Sequence, residues 1–309
     1  MTGAPVPQGA DAIVMVEDSE LVGDGVVRLA TAVGAGQHVR PAGDDLPAAA
    51  VAIPVGTVLR PAHVGLLATV GRAKVTVRRR PRVGVISTGD ELVDDGSALR
   101  RGQIRDSNRA MLLALVARAG FDGVDLGLVR DDEAAIEAAL LSAAQDCDAV
   151  VTSGGVSMGD YDYVKAVLDR IGDMRWMQVA IKPAKPFAFG VIGSTPVFGL
   201  PGNPVSSLVS FELFAHTGLR AMAGWTDPHP PRIAAVAGAD MRRRADGKTH
   251  FVRVVLESAG EDGTAGRVWP TGGQGSHQLA ASAAADGLAL LPDGDGLAAG
   301  EPVAVIPLH

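Results

Sequence analysis

The sequence predicts an α/β protein: a central parallel sheet with helices on both faces, a small β-rich piece ahead of it and a β-barrel behind it. Three observations predict this. Between about residues 82 and 224, short apolar runs alternate with helix-length amphipathic stretches, the pattern of parallel strands joined by right-handed crossovers. Each apolar run ends in a loop of glycine, proline, hydroxyl and charged residues. Beyond the proline-dense Thr226-Asp227-Pro228-His229-Pro230-Pro231 the pattern changes to short strands and turns, as a small barrel or sandwich requires.

The elements follow in order. Residues 1–50 read as part of a β-rich domain, with a strand-like run over Ala10 to Val16, another over Gly25 to Leu29, and a glycine-rich turn at Val33 to Gln37. So short a piece holds little core. Residues 51–80 read as a linking segment, with a helix from Pro61 to Val70, a strand at Lys74 to Val77 and a charged link from Arg78. Residues 81–226 form the α/β domain. Its strands are predicted at Val83 to Ser87, Val124 to Val129, Ala149 to Thr152, Trp176 to Ile181, Phe187 to Val191 and Val197 to Leu200. Its helices are predicted at Ser107 to Ala119, Glu133 to Ala144, Tyr161 to Ile171 and Val205 to about Ala223. Residues 227–309, with strands at Phe251 to Leu256 and Gly287 to Pro292, form the carboxy-terminal barrel.

Composition excludes several classes. The 309 residues are 47% apolar, enough to fill real cores, and a formal charge of -7 offers no overall basic surface for nucleic acid. The basic runs Arg78 to Arg80 and Arg242 to Arg244 read as solvated strand or loop ends. A single cysteine, Cys147, rules out an internal disulfide and a cysteine-rich metal site, and reads as a small buried side chain. No uncharged apolar stretch is long enough to span a membrane and no signal peptide is evident, so the cytoplasm is the expected compartment.

The chemistry concentrates at the strand ends, where open α/β sheets bind ligands. Thr88-Gly89-Asp90-Glu91 places two carboxylates there, although a turn with a helix cap would also use such residues. In Arg130-Asp131-Asp132 one aspartate is explained by capping the helix at Glu133, which leaves the other unexplained. Ser153-Gly154-Gly155-Val156-Ser157 lets backbone N–H groups and serine hydroxyls approach an anion closely. Asp160 and Asp162 either cap the next helix or hold a hard cation such as Mg²⁺. Lys182 and Lys185 bracket a proline-stiffened turn, two cations in restricted geometry that suit a multiply charged oxyanion. In Pro201-Gly202-Asn203-Pro204 the prolines fix the backbone, Gly202 allows close approach and Pro204 suits the first turn of a helix.

Phosphate-loop, dinucleotide-binding and nucleophile-elbow motifs are all missing, which argues against nucleoside triphosphatases, dehydrogenases and α/β-hydrolases.

These motifs in this order, with Met1-Thr2-Gly3-Ala4 ahead of them and Gln274-Gly275-Ser276-His277 behind, resemble the molybdenum insertase family. Its members are the molybdopterin molybdenumtransferases, MoeA in bacteria and the E domain of gephyrin in animals. The resemblance implies that the α/β domain binds molybdopterin. It implies adenylated molybdopterin and molybdate as substrates, Mg²⁺ as the cofactor that assists cleavage of the adenylate, and release of AMP. It makes Glu91, Asp131 and Asp162 the acidic site residues, joined by Asp90 as expected Mg²⁺ ligands, with Lys182 the active-site lysine and Lys185 beside it. Thr2, Thr88, Ser153, Gly154, Gly155, Ser157, Pro201, Gly202 and Asn203 are then expected to bind substrate, with Arg253 and Ser276 contributing from the carboxy-terminal domain. Gln178 stands where some members carry a second lysine. The resemblance also implies a further amino-terminal segment, a homodimer, and the molybdopterin adenylyltransferase as a partner. Adenylyl transfer itself, or a noncatalytic truncated chain that binds molybdopterin or serves as a scaffold, is the alternative reading.

Overall fold

The computed structural model describes residues 2–156, 162–257 and 266–309. Two compact units divide the chain, Met1–Lys74 and Val75–His309. In the first, β1 (Ser19–Gly23) and β2 (Val26–Leu29) form an antiparallel hairpin, and α1 (Pro61–Thr69) starts on a proline that needs no N–H partner there. None of its described residues is buried. The predicted strand over Ala10 to Val16 is not formed: Val16 opens a single 3₁₀ turn, Val16–Asp18, and no described strand pairs with the run. The predicted strand at Lys74 to Val77 is likewise unpaired backbone.

The second unit begins with β3 (Arg82–Thr88), then a short ribbon of β4 (Leu92–Val93) and β5 (Ile104–Arg105). Strand and helix then alternate: α2 (Ser107–Arg118), β6 (Asp122–Val129), α3 (Glu133–Asp146), β7 (Ala149–Ser153) and α4 (Tyr163–Ile171). There follow β8 (Asp173–Gln178), β9 (Ile181–Lys182), β10 (Pro186–Ile192), β11 (Thr195–Leu200), α5 (Pro204–Ser210) and α6 (His216–Met222), the last two joined by a π-helical turn over Phe211–Ala215.

The sheet order is β6-β3-β7-β11-β10-β8. The first four strands are parallel, and β10 and β8 extend them antiparallel. Helices cover both faces because the strand side chains alternate. Val83, Val85, Ala149 and Val151 pack with Leu112, Val116, Val205, Val209 and Leu219 on one side. Ile86 and Val150 pack with Ile136, Leu140, Val167 and Leu168 on the other. Strands buried on both faces read as continuous apolar runs, which is why they were legible. At Gly84 a Cβ would lie 2.7 Å from a Leu126 methyl and 3.1 Å from Cys147 Sγ, so the sheet centre admits no side chain there. Cys147 is buried as expected, and that burial pushes its thiol pKa up.

The predicted strand from Trp176 to Ile181 divides. Its first part is β8, while β9 leaves the sheet and pairs in parallel with the barrel strand that carries His250, Lys182 standing opposite His250. The remaining elements are β12 (Ile233–Ala237), β13 (Met241–Arg242), β14 (Thr249–Glu257), β15 (Arg267–Pro270), α7 (Leu279–Ala283), β16 (Gly287–Leu291), β17 (Gly296–Leu297) and β18 (Pro302–Pro307). Strands β15, β12, β18, β16 and β14 pair in that order, and β14 returns to β15, closing a five-stranded barrel. Val254, Val268, Ala289, Val303 and Val305 fill it. Its end packs on the α/β layer through Phe251, Leu288 and Ile306, and Arg118 ties the two by donating to the Leu308 carbonyl and the buried Glu212 carboxylate.

Candidate active site at the carboxyl edge of the parallel strands

The loops that leave β3, β6, β7 and β11 line one cavity of about 770 Å³, within the size range of small-molecule sites. Thr88, Gly89 and Glu91 come from the first, Asp131 from the second, Ser153, Gly154, Gly155 and Val156 from the third, and Pro201, Gly202, Asn203 and Pro204 from the fourth. Asp162 and Tyr163 at the start of α4, Pro186 at the start of β10, and His277 from the barrel complete the wall. A parallel sheet delivers every such loop to the same edge, which is why residues more than a hundred positions apart meet here.

Local geometry explains the residue types. Gly89 has φ 146°, and a Cβ on it would lie 2.7 Å from a Glu91 carboxylate oxygen, so glycine lets Glu91 fold back over the turn. Asp90 does not line the cavity; its Oδ1 accepts from the Asp131 N–H at 3.4 Å and links two loops. Asp132 caps α3 by accepting from the Ala135 N–H at 2.8 Å, which leaves Asp131 to face the cavity. Asp162 caps α4 through its Oδ1, accepting from the Lys165 N–H at 3.2 Å, and also lines the cavity. Gly155 has φ 74° and packs so tightly on α4 that a Cβ would lie 2.2 Å from Val164 Cβ. Ser157 and Asp160 lie outside the described residues.

The start of α2 contributes residues that the sequence reading passed over as a helix start. Asp106 caps the helix, accepting from the Arg109 N–H and from the Ser87 hydroxyl, both at 3.1 Å. Arg109 holds three carboxylates, Asp94, Asp106 and Asp125. Burial works against its charge, but the hydrogen bonds it donates to Asp125 and Asp106 outweigh that and raise its pKa. Asn108 Nδ2 donates to Ser153 Oγ at 2.8 Å and to the Gly202 carbonyl at 2.6 Å, pinning the β7 and β11 loops together. The polar run Asp106-Ser107-Asn108 at the end of a short strand was the available signal.

Two barrel residues act differently from each other. Arg253 is 1% exposed, and all five of its N–H donors are used within the barrel. Nε donates to Gln274 Oε1, Nη1 to the Gln278 carbonyl and Ser282 Oγ, and Nη2 to the Gly273 and Gly275 carbonyls. Desolvation draws its pKa below the ordinary guanidinium value. It builds the loop that carries Ser276 and His277. The Ser276 carbonyl accepts from the Val205 N–H at 3.1 Å, docking that loop on the start of α5, and His277 reaches the cavity wall. His277, within Gln274-Gly275-Ser276-His277, carries no expectation of its own from the sequence.

Lys182 and Lys185 are exposed and do not line the cavity, although Pro186, which ends their turn, does. The turn holds a cis Lys182–Pro183 peptide and Ala184 at φ 75°, and is closed by the Val179 N–H donating to the Lys185 carbonyl at 2.7 Å. Thr2 is exposed in the amino-terminal unit.

Fold and cavity together define the class, an α/β protein with a cavity of small-molecule size where its parallel strands end, joined to a barrel. Family models identify it further. Residues 84–221 match a probable molybdopterin binding domain, residues 1–71 the MoeA N-terminal region (domain I and II), and residues 235–308 the MoeA C-terminal region (domain IV). The chain is 38% identical over 313 residues to a molybdopterin molybdenumtransferase of Haemophilus influenzae, covering 100% of this chain and 76% of that one. It is 42% identical over 299 residues to molybdopterin molybdenumtransferase 2 of Mycobacterium tuberculosis, covering 95% and 72%. A solved molybdopterin biosynthesis MoeA protein of Pyrococcus horikoshii superposes with a TM-score of 0.78 at 28% identity, covering 98% of this chain and 73% of that one. The chain belongs to the MoeA family of molybdopterin molybdenumtransferases.

Proposed function

We propose that this chain inserts molybdenum from molybdate into adenylated molybdopterin, with release of AMP. The observation that carries this is a cavity on which loops from four parallel strands converge, offering carboxylates, hydroxyls and bare backbone in a chain of this family. The Ser153-Gly154-Gly155 loop supplies hydroxyl and backbone donors for the anionic part of the substrate. Pro201, Gly202 and Asn203 line the wall beside that loop, where Gly202 permits close approach. Lys182 and Lys185, exposed on the turn that ends at Pro186 and off the cavity wall, act from outside the cavity, their charge favouring the approach of anionic substrates.

Glu91, Asp131 and Asp162 suit Mg²⁺ by the hardness of their oxygens. Among the described residues no three acidic, cysteine or histidine side chains come together as a preformed cage. Mg²⁺ needs only one or two carboxylates when substrate phosphates complete its shell, so the open set fits. When bound, the ion would neutralise phosphate charge and polarise the scissile bond. A homodimer, a cytoplasmic location and delivery of substrate by the adenylyltransferase belong to the same proposal. Among the described residues no helix is long and apolar enough to cross a membrane.

Insertion is favoured over adenylyl transfer because relatives matching 95% or more of the chain are named molybdenumtransferases. The test is AMP release from adenylated molybdopterin with Mg²⁺, with and without molybdate. Molybdate-dependent release that Glu91→Gln abolishes while the fold persists is expected. Unchanged turnover in that variant would remove Glu91 from the mechanism, and ATP-dependent adenylation of molybdopterin would reverse the choice of reaction.

A further inference from the structure

We propose that Asn108 is a positioning residue that fixes Ser153 as a hydrogen-bond donor to the phosphate-bearing end of the substrate. The inference deepens the functional reading above and rests on it. Asn108 is 9% exposed, stands in the first turn of α2 and lines the cavity. An amide nitrogen has two donors, and both are spent, one on Ser153 Oγ and one on the Gly202 carbonyl. Its Oδ1 is buried with no hydrogen-bond partner among the described residues. That is a cost the fold tolerates in order to aim the nitrogen, since turning the amide over would face Oδ1 to the Gly202 carbonyl.

The consequence falls on Ser153, which is 4% exposed and also lines the cavity. A hydroxyl that accepts from an amide has its own proton left to give. Among the described residues no acceptor takes the Ser153 proton. Beside it, Gly155 and Val156 have N–H groups with no acceptor among the described residues. One hydroxyl and two amides with protons to give form a donor set suited to a phosphate oxygen. Ser153 alone would be free to rotate; Asn108 fixes its direction.

The experiment uses the full chain and two readouts, affinity for adenylated molybdopterin and molybdate-dependent AMP release. The unsubstituted chain comes first: if it neither binds nor releases AMP, the functional reading fails before Asn108 is tested. Given binding, Asn108→Ala and Ser153→Ala are each expected to weaken affinity by about 10-fold, the scale of one hydrogen bond to a charged group. The double variant should lose little more than either single one, because the two residues act through one interaction. A double loss of about 100-fold, the product of independent effects, would overturn the proposal, as would unchanged affinity in Asn108→Ala.

Asn108→Asp keeps the shape and guards against a folding defect, with thermal melting as the check. Its carboxylate cannot donate to Ser153 and would take the serine proton instead. Relative to the unsubstituted chain its affinity should recover as pH falls and the carboxyl regains a proton. A deficit that does not change with pH would show that Asn108 serves only to pack the loops.

Discussion

Replacing Arg253 by alanine tests whether this residue meets substrate or builds the loop that does. The guanidinium is 1% exposed and gives all five N–H groups to Gln274, Gln278, Ser282, Gly273 and Gly275. Removing it leaves the Gly273, Gly275 and Gln278 carbonyls without these donors. At about 1 kcal/mol for each abandoned acceptor, plus the lost packing of the stem, the chain should lose roughly 3–5 kcal/mol. Arg253→Lys, with three donors on a point charge, should lose about half of that. Guanidinium chloride denaturation followed by tryptophan fluorescence reads both, since Trp269 lies in the barrel. AMP release should fall in step, because Ser276 and His277 lose their support. A stability loss below about 1 kcal/mol, with AMP release still abolished, would refute the reasoning and make Arg253 a direct substrate contact.

Gly155→Ala should cost at least about 2 kcal/mol and weaken substrate binding, because φ 74° disfavours an L side chain and the new Cβ would meet Val164 at 2.2 Å; an unchanged melting temperature would contradict this. The Arg79 guanidinium beside Asp148 holds that carboxyl below the usual carboxylate range, with help from the Arg82 N–H at 2.7 Å. A depressed folded pKa contributes stability above the unfolded value of about 3.9 and loses it as pH falls toward the folded value. Asp148→Asn should therefore be less stable than the unsubstituted chain at pH 6, the difference closing in acid; a gap that widened below pH 4 would have the wrong sign. Glu91, exposed at a turn, should accept glutamine with little loss of stability while AMP release is abolished.

Much of the α/β layer was legible because strands buried on both faces cannot hide: Val83 to Ser87 and Ala149 to Thr152 are buried throughout, and apolar up to the hydroxyl residue that ends each run. Helix starts were nearly as plain, although the cap at Asp132 rather than Asp131 needed the structure to separate two neighbouring aspartates. Where the reading failed, pairing was the missing term. Ala10 to Val16 has strand-like composition with no described partner, and Ile181–Lys182 is a strand of the barrel instead of a continuation of β8. Nothing in a run of seven residues tells which sheet it joins.

The sequence by itself determined the fold class, the family and the loops that form the site, because glycine, proline, hydroxyl and acidic residues at strand ends answer to local backbone and charge requirements. Only the tertiary structure decided what each of those residues touches. It spent every donor of Arg253 within the barrel, set Asp90 on a neighbouring amide, kept Lys182 and Lys185 off the cavity wall, and brought Asn108 onto Ser153 and Gly202. The physical reason is that a hydrogen bond between residues 45 or 94 positions apart depends on how strands pair and helices pack, and that geometry is written in no local run of residues.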